Sequence, residues 1–313
     1  MKKVLITGGS GTVGSAFIKE FYNQYQFVSY GRNKEKQAAL KQQFSKVELC
    51  EGSIEDRENL LKVFSRVKPD IVIHTAALKQ IEVGEKHPAQ AIKTNLLGSL
   101  NIIDASKIAN VAITIGISSD KACLSNSVYG KTKNLMERIF LEADDEKNRF
   151  VSCRLSNVAG SHNSVIPFWL NLVKSNQPLK ITDPKMNRFM FLPKDAAKLI
   201  QKAIETLNTE KSAFVVTQNI KAVNMLDMAK QLSSQVKIVG KRPGEKLNET
   251  LIAHDEVPFT YFDGKYIFIK PIKNVLKKNR LQKQLNSLKA EKLNSAEIKN
   301  LIQNVRQLHE CTD

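Results

Sequence analysis

The chain has 313 residues, 42% hydrophobic and 25% charged, which allows one large α/β unit, or two smaller lobes, around a real core. It lacks the apolar run of about 18 residues that a membrane-spanning helix needs, and the apolar start "KKVLITGG" is too short for a secretory signal, so a cytoplasmic location is expected. The formal charge of +17 attracts polyanions, but without a helix-turn-helix, zinc-finger or aromatic-basic pattern the expected partner is a phosphate-bearing metabolite rather than nucleic acid.

"KKVLITG" reads as a buried strand, and "GGSGTVGSAFIKEFYNQ" turns to helical spacing with Val13, Phe17 and Phe21 on one face. Strands follow at "QFVSYG", "KVELCEG", "PDIVIHTAA", "VAITIGISS" and "RFVSCRLSN". Helical patterns separate them, including "HPAQAIKTNLLGSLNIIDASKIA", which has Pro88 in its first turn. Strands alternating with helices of this length predict a parallel sheet with crossover helices.

After about Asn157 the rhythm loosens around Pro167, Pro178 and Pro184. The expected fold is α/β: a Rossmann-type doubly wound parallel sheet with a smaller C-terminal substrate-binding lobe. Residues 1–156 form the nucleotide domain, with a return segment near 190–218. Residues 157–189 and 219–272 form the lobe, which Trp169 and its neighbouring Phe residues pack. Residues 273–313 form a basic helical tail, with Leu281, Leu285 and Leu288 at helical spacing. A last helix places Ile298, Leu301, Ile302, Val305 and Leu308 on one stripe, which packs against the body or a partner subunit. Cys50, Cys123, Cys153 and Cys311 have neither CxxC spacing nor clustered His, so free thiols are expected and no metal.

"TGGSGTVG" places Gly8, Gly11 and Gly14 between the first strand and helix, with Ser10, Thr12 and Val13 among them. That arrangement lets backbone approach a pyrophosphate at a helix N-terminus. Where an acid would bind the ribose of NAD, the chain has Arg32 and Asn33, which favours the 2′-phosphate of NADP. A basic helix start on the surface is the alternative. Tyr129 and Lys133 lie four apart on one helical face. An ammonium there lowers the phenol pKa and makes a base usable near neutral pH. Ser118 or Ser119 ends the preceding strand and can hydrogen-bond the same hydroxyl.

This combination resembles the extended short-chain dehydrogenase/reductases. "HTAALKQIEVGEKHPAQAIKTNLLGSLN", "ISSDKA", "VYGKTK", "GSHNSVIPF", "ITDPKMNRFMF" and "RPGEKLNETLI" narrow the resemblance to bacterial UDP-N-acetylglucosamine 4,6-dehydratases, over about residues 2–270. It implies NADP, a UDP-sugar substrate and a homo-oligomer that pairs beside the Tyr helix. It also implies roles for individual residues. Tyr129 takes the C4 hydroxyl proton, supported by Lys133 and Ser119. Lys121, as a neutral amine, removes the C5 hydrogen, and protonated Asp120 is the acid for the departing 6-hydroxyl. Ser53, Ile54, Ala76, Ala77 and Asn95 join the cofactor contacts. Lys79 faces cofactor and substrate. Val165, Asn157, Arg188, Arg242 and Glu245 bind the substrate, with Asn157 and the two arginines on the diphosphate.

Some positions depart from the family. Ser53 stands where an acid is usual, "LSNS" at 124–127 replaces "NPIN" and bears on the sugar pocket, and His162 and Asn163 replace "RG". Two rivals stay open. A 4-epimerase or 4-reductase on this scaffold would not need Asp120 and Lys121. A non-catalytic NADP-binding regulator would have no use for Tyr129 and Lys133.

Overall fold

The computed structural model describes residues 1–161, 164–242, 244–270 and 279–310. The first half alternates as expected: β1 (Lys3–Thr7), α1 (Thr12–Phe21), β2 (Gln26–Gly31), α2 (Lys34–Gln43), β3 (Glu48–Glu51), α3 (Arg57–Val67), β4 (Ile71–His74), α4 (Ile81–Lys86), α5 (Pro88–Ile92), α6 (Gly98–Ile108), β5 (Ile113–Ser119), α7 (Val128–Ala143) and β6 (Arg149–Leu155). Side chains set the helix starts. Asn33 accepts from the Lys36 amide, Asp56 from Asn59 and Ser127 from Gly130, each pairing an N–H the helix leaves open. The long helix expected after His87 is α5 and α6 joined by a π-helical turn, Lys93–Leu97.

The second half contains β7 (Asn157–Val158), α8 (Val165–Lys174), β8 (Leu179–Ile181), β9 (Asn187–Phe191), α9 (Pro193–Thr206), β10 (Val215–Gln218), β11 (Ala222–Asn224), α10 (Met225–Lys230), β12 (Val236–Ile238), β13 (Thr250–Ile252), β14 (Thr260–Asp263), β15 (Tyr266–Ile269), β16 (Leu285–Asn286) and α11 (Ser295–Glu310).

The main sheet has nine strands in the order β14-β15-β10-β6-β5-β4-β1-β2-β3. From β3 to β10 every pairing is parallel, and β15 and β14 extend the sheet antiparallel. This is the doubly wound Rossmann arrangement, with its order reversing between β1 and β4. Ligands bind such sheets at the strand carboxyl ends beside that reversal. One face buries Phe17, Ile18 and Phe21 of α1 with Leu199, Ile200 and Ala203 of α9. The other packs α3 and α6 through Leu60, Phe64 and Ile102.

A separate apolar cluster joins α8, α10 and α11 around Trp169, whose indole N–H donates to the Lys180 carbonyl. Ile298, Leu301, Ile302 and Val305 of α11 are buried in it, so the last helix packs on its own chain. Cys50, Cys123 and Cys153 are buried free thiols, while Cys311, His162 and Asn163 lie outside the described residues.

Two expectations need correction. Residues 260–269, assigned to the lobe, belong to the main sheet because β15 pairs with β10. The stretch 281–288 is not helical. Leu285 pairs with Ile252 through β16 and β13, Leu281 packs beside Ile267 and Ile269, and Leu288 is exposed. An open strand edge and an apolar patch outweigh local helix propensity there. Residues 273–278 of the expected helix lie outside the described ones. No helix among the described residues is long and apolar enough to cross a membrane.

Candidate active site

A cleft of about 1480 Å³ runs along the carboxyl ends of the central strands. Its dinucleotide half begins at the turn from β1 to α1. Gly8 holds a left-handed φ of +72°, and a Cβ on Gly14 would lie 2.7 Å from the Gly9 Cα, so both positions need glycine. Gly8, Ser10, Gly11, Thr12 and Val13 line the cleft, and Gly14 lies behind them as the contact between turn and helix. The α1 N-terminus has no side-chain cap, which leaves amides for a pyrophosphate. Arg32, Asn33 and Lys36 border the cleft past β2, and Ile54, Ala76, Ala77 and Lys79 continue it. Burial lowers the Lys79 pKa, with the Lys36 charge adding to the effect. These groups fit a dinucleotide: glycine backbone for its phosphates and cations beside its ribose.

Two expected cofactor contacts act from behind the wall. The Ser53 carbonyl accepts the Tyr30 hydroxyl at 2.9 Å, and its own hydroxyl accepts the Glu55 amide. Asn95, in the π-helical turn, holds both backbone groups of Leu78 (2.8 and 3.0 Å) and reaches Thr132 at 3.1 Å. It fastens the segment after β4 to α7.

The other half of the cleft is lined by Ser119, Lys121, Tyr129, Lys133, Asn157 and Glu249, among others. Ser119 ends β5 and Asp120–Ala122 forms a single 3-10 turn, which turns Lys121 inward. Lys121 Nζ sits 2.8 Å from Asp120 Oδ1, 3.3 Å from Asn157 Oδ1 and 3.6 Å from Glu249 Oε1. Ser119 Oγ donates to the same Asp120 oxygen at 3.1 Å. Asp120 is fully buried, and it does not line the cleft.

The charge states differ from the expected ones. Burial works against the Lys121 ammonium, but Asp120 and then Glu249 outweigh it and raise its pKa, so Lys121 rests charged rather than as an amine. Burial likewise raises the Tyr129 phenol pKa, with the Lys121 charge and the Ser119 hydroxyl pulling it down. The expected lowering by Lys133 is absent. Lys133 Nζ instead donates to the Ile117 carbonyl at 2.7 Å and contacts Met136. Burial lowers the Lys133 pKa to about 8, with Glu137 opposing.

The expected diphosphate ligands are largely committed elsewhere. Arg188 Nη1 donates to the Asn187 and Leu247 carbonyls and Nη2 to that of Lys246, with Glu245 at 3.7 Å. Arg188 therefore braces the 245–247 loop. Asn157 points its amide oxygen at Lys121 and donates to the Phe189 carbonyl. Arg242 is exposed and pairs with Glu82 at 3.3 Å. Val165 and Glu245 line the cleft. The 124–127 segment does not: Leu124 is exposed and Ser127 caps α7. Glu249 and Lys36 had no signal in the sequence beyond their charge.

A Tyr-Lys helix beside a Rossmann cleft defines a short-chain dehydrogenase/reductase. A family model described as polysaccharide biosynthesis protein matches residues 4–271, and the chain belongs to that family. It is 34% identical over 291 residues to the UDP-N-acetylglucosamine 4,6-dehydratase (inverting) of Campylobacter jejuni subsp. jejuni serotype O:2, covering 89% of this chain and 86% of that one. It is 29% identical to the UDP-glucose 4-epimerase of Rickettsia bellii, over 99% of this chain and 97% of that one. The X-ray structure of Pen from Bacillus thuringiensis superposes with a TM-score of 0.88 at 27% identity, covering 97% of this chain and 98% of that one.

Proposed function

We propose that the protein is an NADP-dependent UDP-N-acetylglucosamine 4,6-dehydratase that forms a 4-keto-6-deoxy sugar nucleotide. The carrying observation is Lys121, a partly buried cation that lines the cleft with Tyr129 and pairs with two carboxylates. Oxidation at C4 needs only the Ser-Tyr-Lys set, whereas loss of water needs a second base and an acid. The dinucleotide, when bound, supplies hydride acceptance at C4 and its return to C6. Gly8, Gly11 and the α1 amides hold its phosphates, and Arg32 and Lys36 favour a 2′-phosphate.

Tyr129 takes the C4 hydroxyl proton, its phenolate stabilised by Lys121 and Ser119. The 4-keto group then acidifies C5–H. A proton shift of 2.8 Å from Lys121 to Asp120 turns the ion pair into an amine and an acid at no net change of charge. Exclusion of water by substrate favours that neutral pair. The amine takes the C5 proton. Asp120 reaches the departing 6-hydroxyl through Ser119, which lines the cleft and bonds its carboxylate. Protonation of C5 from the Lys121 ammonium closes the cycle.

Arg242 and Glu245 line the cleft, and the Arg242 guanidinium suits the substrate diphosphate. Exposed Leu97, Leu100 and Ile108 on α6 and the turn before it, with Leu135 on the Tyr helix, support a homo-oligomer. The epimerase relative keeps one rival in view: C4 inversion without loss of water. Incubating the purified protein and NADP+ with UDP-N-acetylglucosamine separates the two. A 4-keto-6-deoxy product by NMR supports the dehydratase, and UDP-N-acetylgalactosamine alone supports the epimerase.

A further inference from the structure

Glu249 stands just before β13 and is almost fully buried, yet it lines the cleft. Its backbone is clamped on both sides. The Glu249 amide donates to Ser287 Oγ at 2.9 Å, and the Ser287 amide donates back to the Glu249 carbonyl at 2.8 Å. Ser287 Oγ in turn donates to the Asn187 carbonyl at 3.0 Å. Ser287 follows β16, beyond the residues the family model matches. The stretch that was expected to be a helix thus fixes a carboxylate in the reaction centre.

One carboxylate oxygen of Glu249 lies 3.6 Å from Lys121 Nζ, and the other is buried without a hydrogen-bond partner among the described residues. A buried acceptor left open is costly unless it meets a donor or a charge. The charged and titratable groups around Lys121 are Asp120 on its own turn, Tyr129 on α7, Arg188 on β9 and Glu249. Asp120 and Glu249 are the carboxylates of this set, and only Glu249 borders the cleft.

We propose that Glu249 is a positioning residue for the second proton transfer: it holds Lys121 toward C5 of the sugar and stabilises the ammonium that forms when Lys121 takes the C5 proton. This rests on the dehydratase reading. While Lys121 is an amine, Asp120 holds the proton bound for the leaving hydroxyl, so it becomes a countercharge only as that proton departs. Glu249 takes no part in that proton exchange, and its carboxylate oxygen 3.6 Å from Lys121 Nζ faces the ammonium as it forms. The atom balance is simple: the C5–H bond breaks, its proton joins Lys121, and the C6–O bond breaks as the oxygen takes the Asp120 proton through Ser119.

The test compares wild type with Glu249→Gln and Glu249→Asp, using UDP-N-acetylglucosamine and its 5-deuterio form over a range of pH. Glu249→Gln is expected to lower kcat about 10–100-fold with KM within about threefold, the size of effect a positioned charge gives. It should enlarge the C5 isotope effect and move the ascending pH limb about one unit lower, since the Asp120–Lys121 pair sheds an extra proton more readily once the neighbouring negative charge is gone. Glu249→Asp keeps the charge and should hold the limb near its wild-type position. Thermal melts check folding. If Glu249→Gln does not fold, Glu249→Asp decides alone, with an enlarged isotope effect expected. An unmoved limb with an unchanged isotope effect in folded Glu249→Gln, an unchanged isotope effect in Glu249→Asp where that variant decides alone, or a loss confined to KM, overturns the proposal. Failure of the underlying reading looks different: wild type in D2O would then place no deuterium at C5 of a 4-keto product.

Discussion

Lys121 and Asp120 form a 2.8 Å ion pair of which only the lysine borders the cleft. The carboxylate lies behind it with one oxygen on Lys121 and Ser119 and the other without a hydrogen-bond partner among the described residues. In the proposed reaction a proton exchanged inside this pair prepares base and acid together. Asp120→Asn keeps the shape and removes the acceptor. We expect kcat for dehydration to fall at least about 100-fold, with UDP-sugar affinity by calorimetry unchanged within a few-fold. Dehydration at more than a tenth of the wild-type rate would exclude Asp120 from the proton path.

Arg154 ties the catalytic helix to the loop after β13. Its guanidinium donates to both oxygens of Glu137 (3.0 and 2.7 Å), both oxygens of Glu256 (2.9 and 2.7 Å) and the Leu251 carbonyl, with 1% of its side chain exposed. Removing one member of a buried ion cluster strands the others without compensation. Arg154→Met should therefore cost about 3–5 kcal/mol in urea unfolding. A loss below about 1 kcal/mol would contradict this bracing role.

Arg32 and Lys36 flank the cleft beyond β2. The double variant Arg32→Ala, Lys36→Ala should weaken NADP+ binding about 10–100-fold, as expected for lost charge-assisted contacts, and NAD+ binding by less than about threefold. Fluorescence titration with each dinucleotide measures both. Equal losses would mean that the pair does not read the 2′-phosphate.

His74 lies between Thr7 and Ser99 (2.8 and 3.1 Å). Burial, and then the Lys133 charge, lowers its pKa to about 3. The unfolded chain therefore binds a proton near pH 6.5 that the folded chain refuses. Stability from this group is complete above about pH 6.5 and declines as pH falls toward 3, by about 1.4 kcal/mol per unit at the limiting slope. His74→Asn should flatten the profile between pH 6 and 4.5. An unchanged slope would show that other groups govern acid unfolding.

The sheet and the Tyr-Lys helix were legible because they rest on local periodicity and spacing. "TGGSGTVG" after an apolar strand and Tyr129 four residues before Lys133 each carry their geometry within one turn of chain. Nothing local in the sequence says that Arg188, which lines the cleft, also spends donors on the carbonyls of 187, 246 and 247. Lys121 rests charged through Asp120 beside it and then Glu249, 128 positions away, and sequence shows neither how Asp120 is turned onto it nor that Glu249 reaches it. The helical reading of 281–288 failed for the same reason: the strand edge that captures Leu285 belongs to β13.

The central claim is that the hydrogen leaving C4 arrives at C6 within one pocket. Incubation of the protein and NADP+ with UDP-[4-2H]N-acetylglucosamine, followed by NMR of the product, tests it directly. The account expects a 4-keto-6-deoxy sugar nucleotide carrying the deuterium in its C6 methyl group. Deuterium retained at C4 of an epimerised sugar, with the 6-hydroxyl still in place, would contradict it.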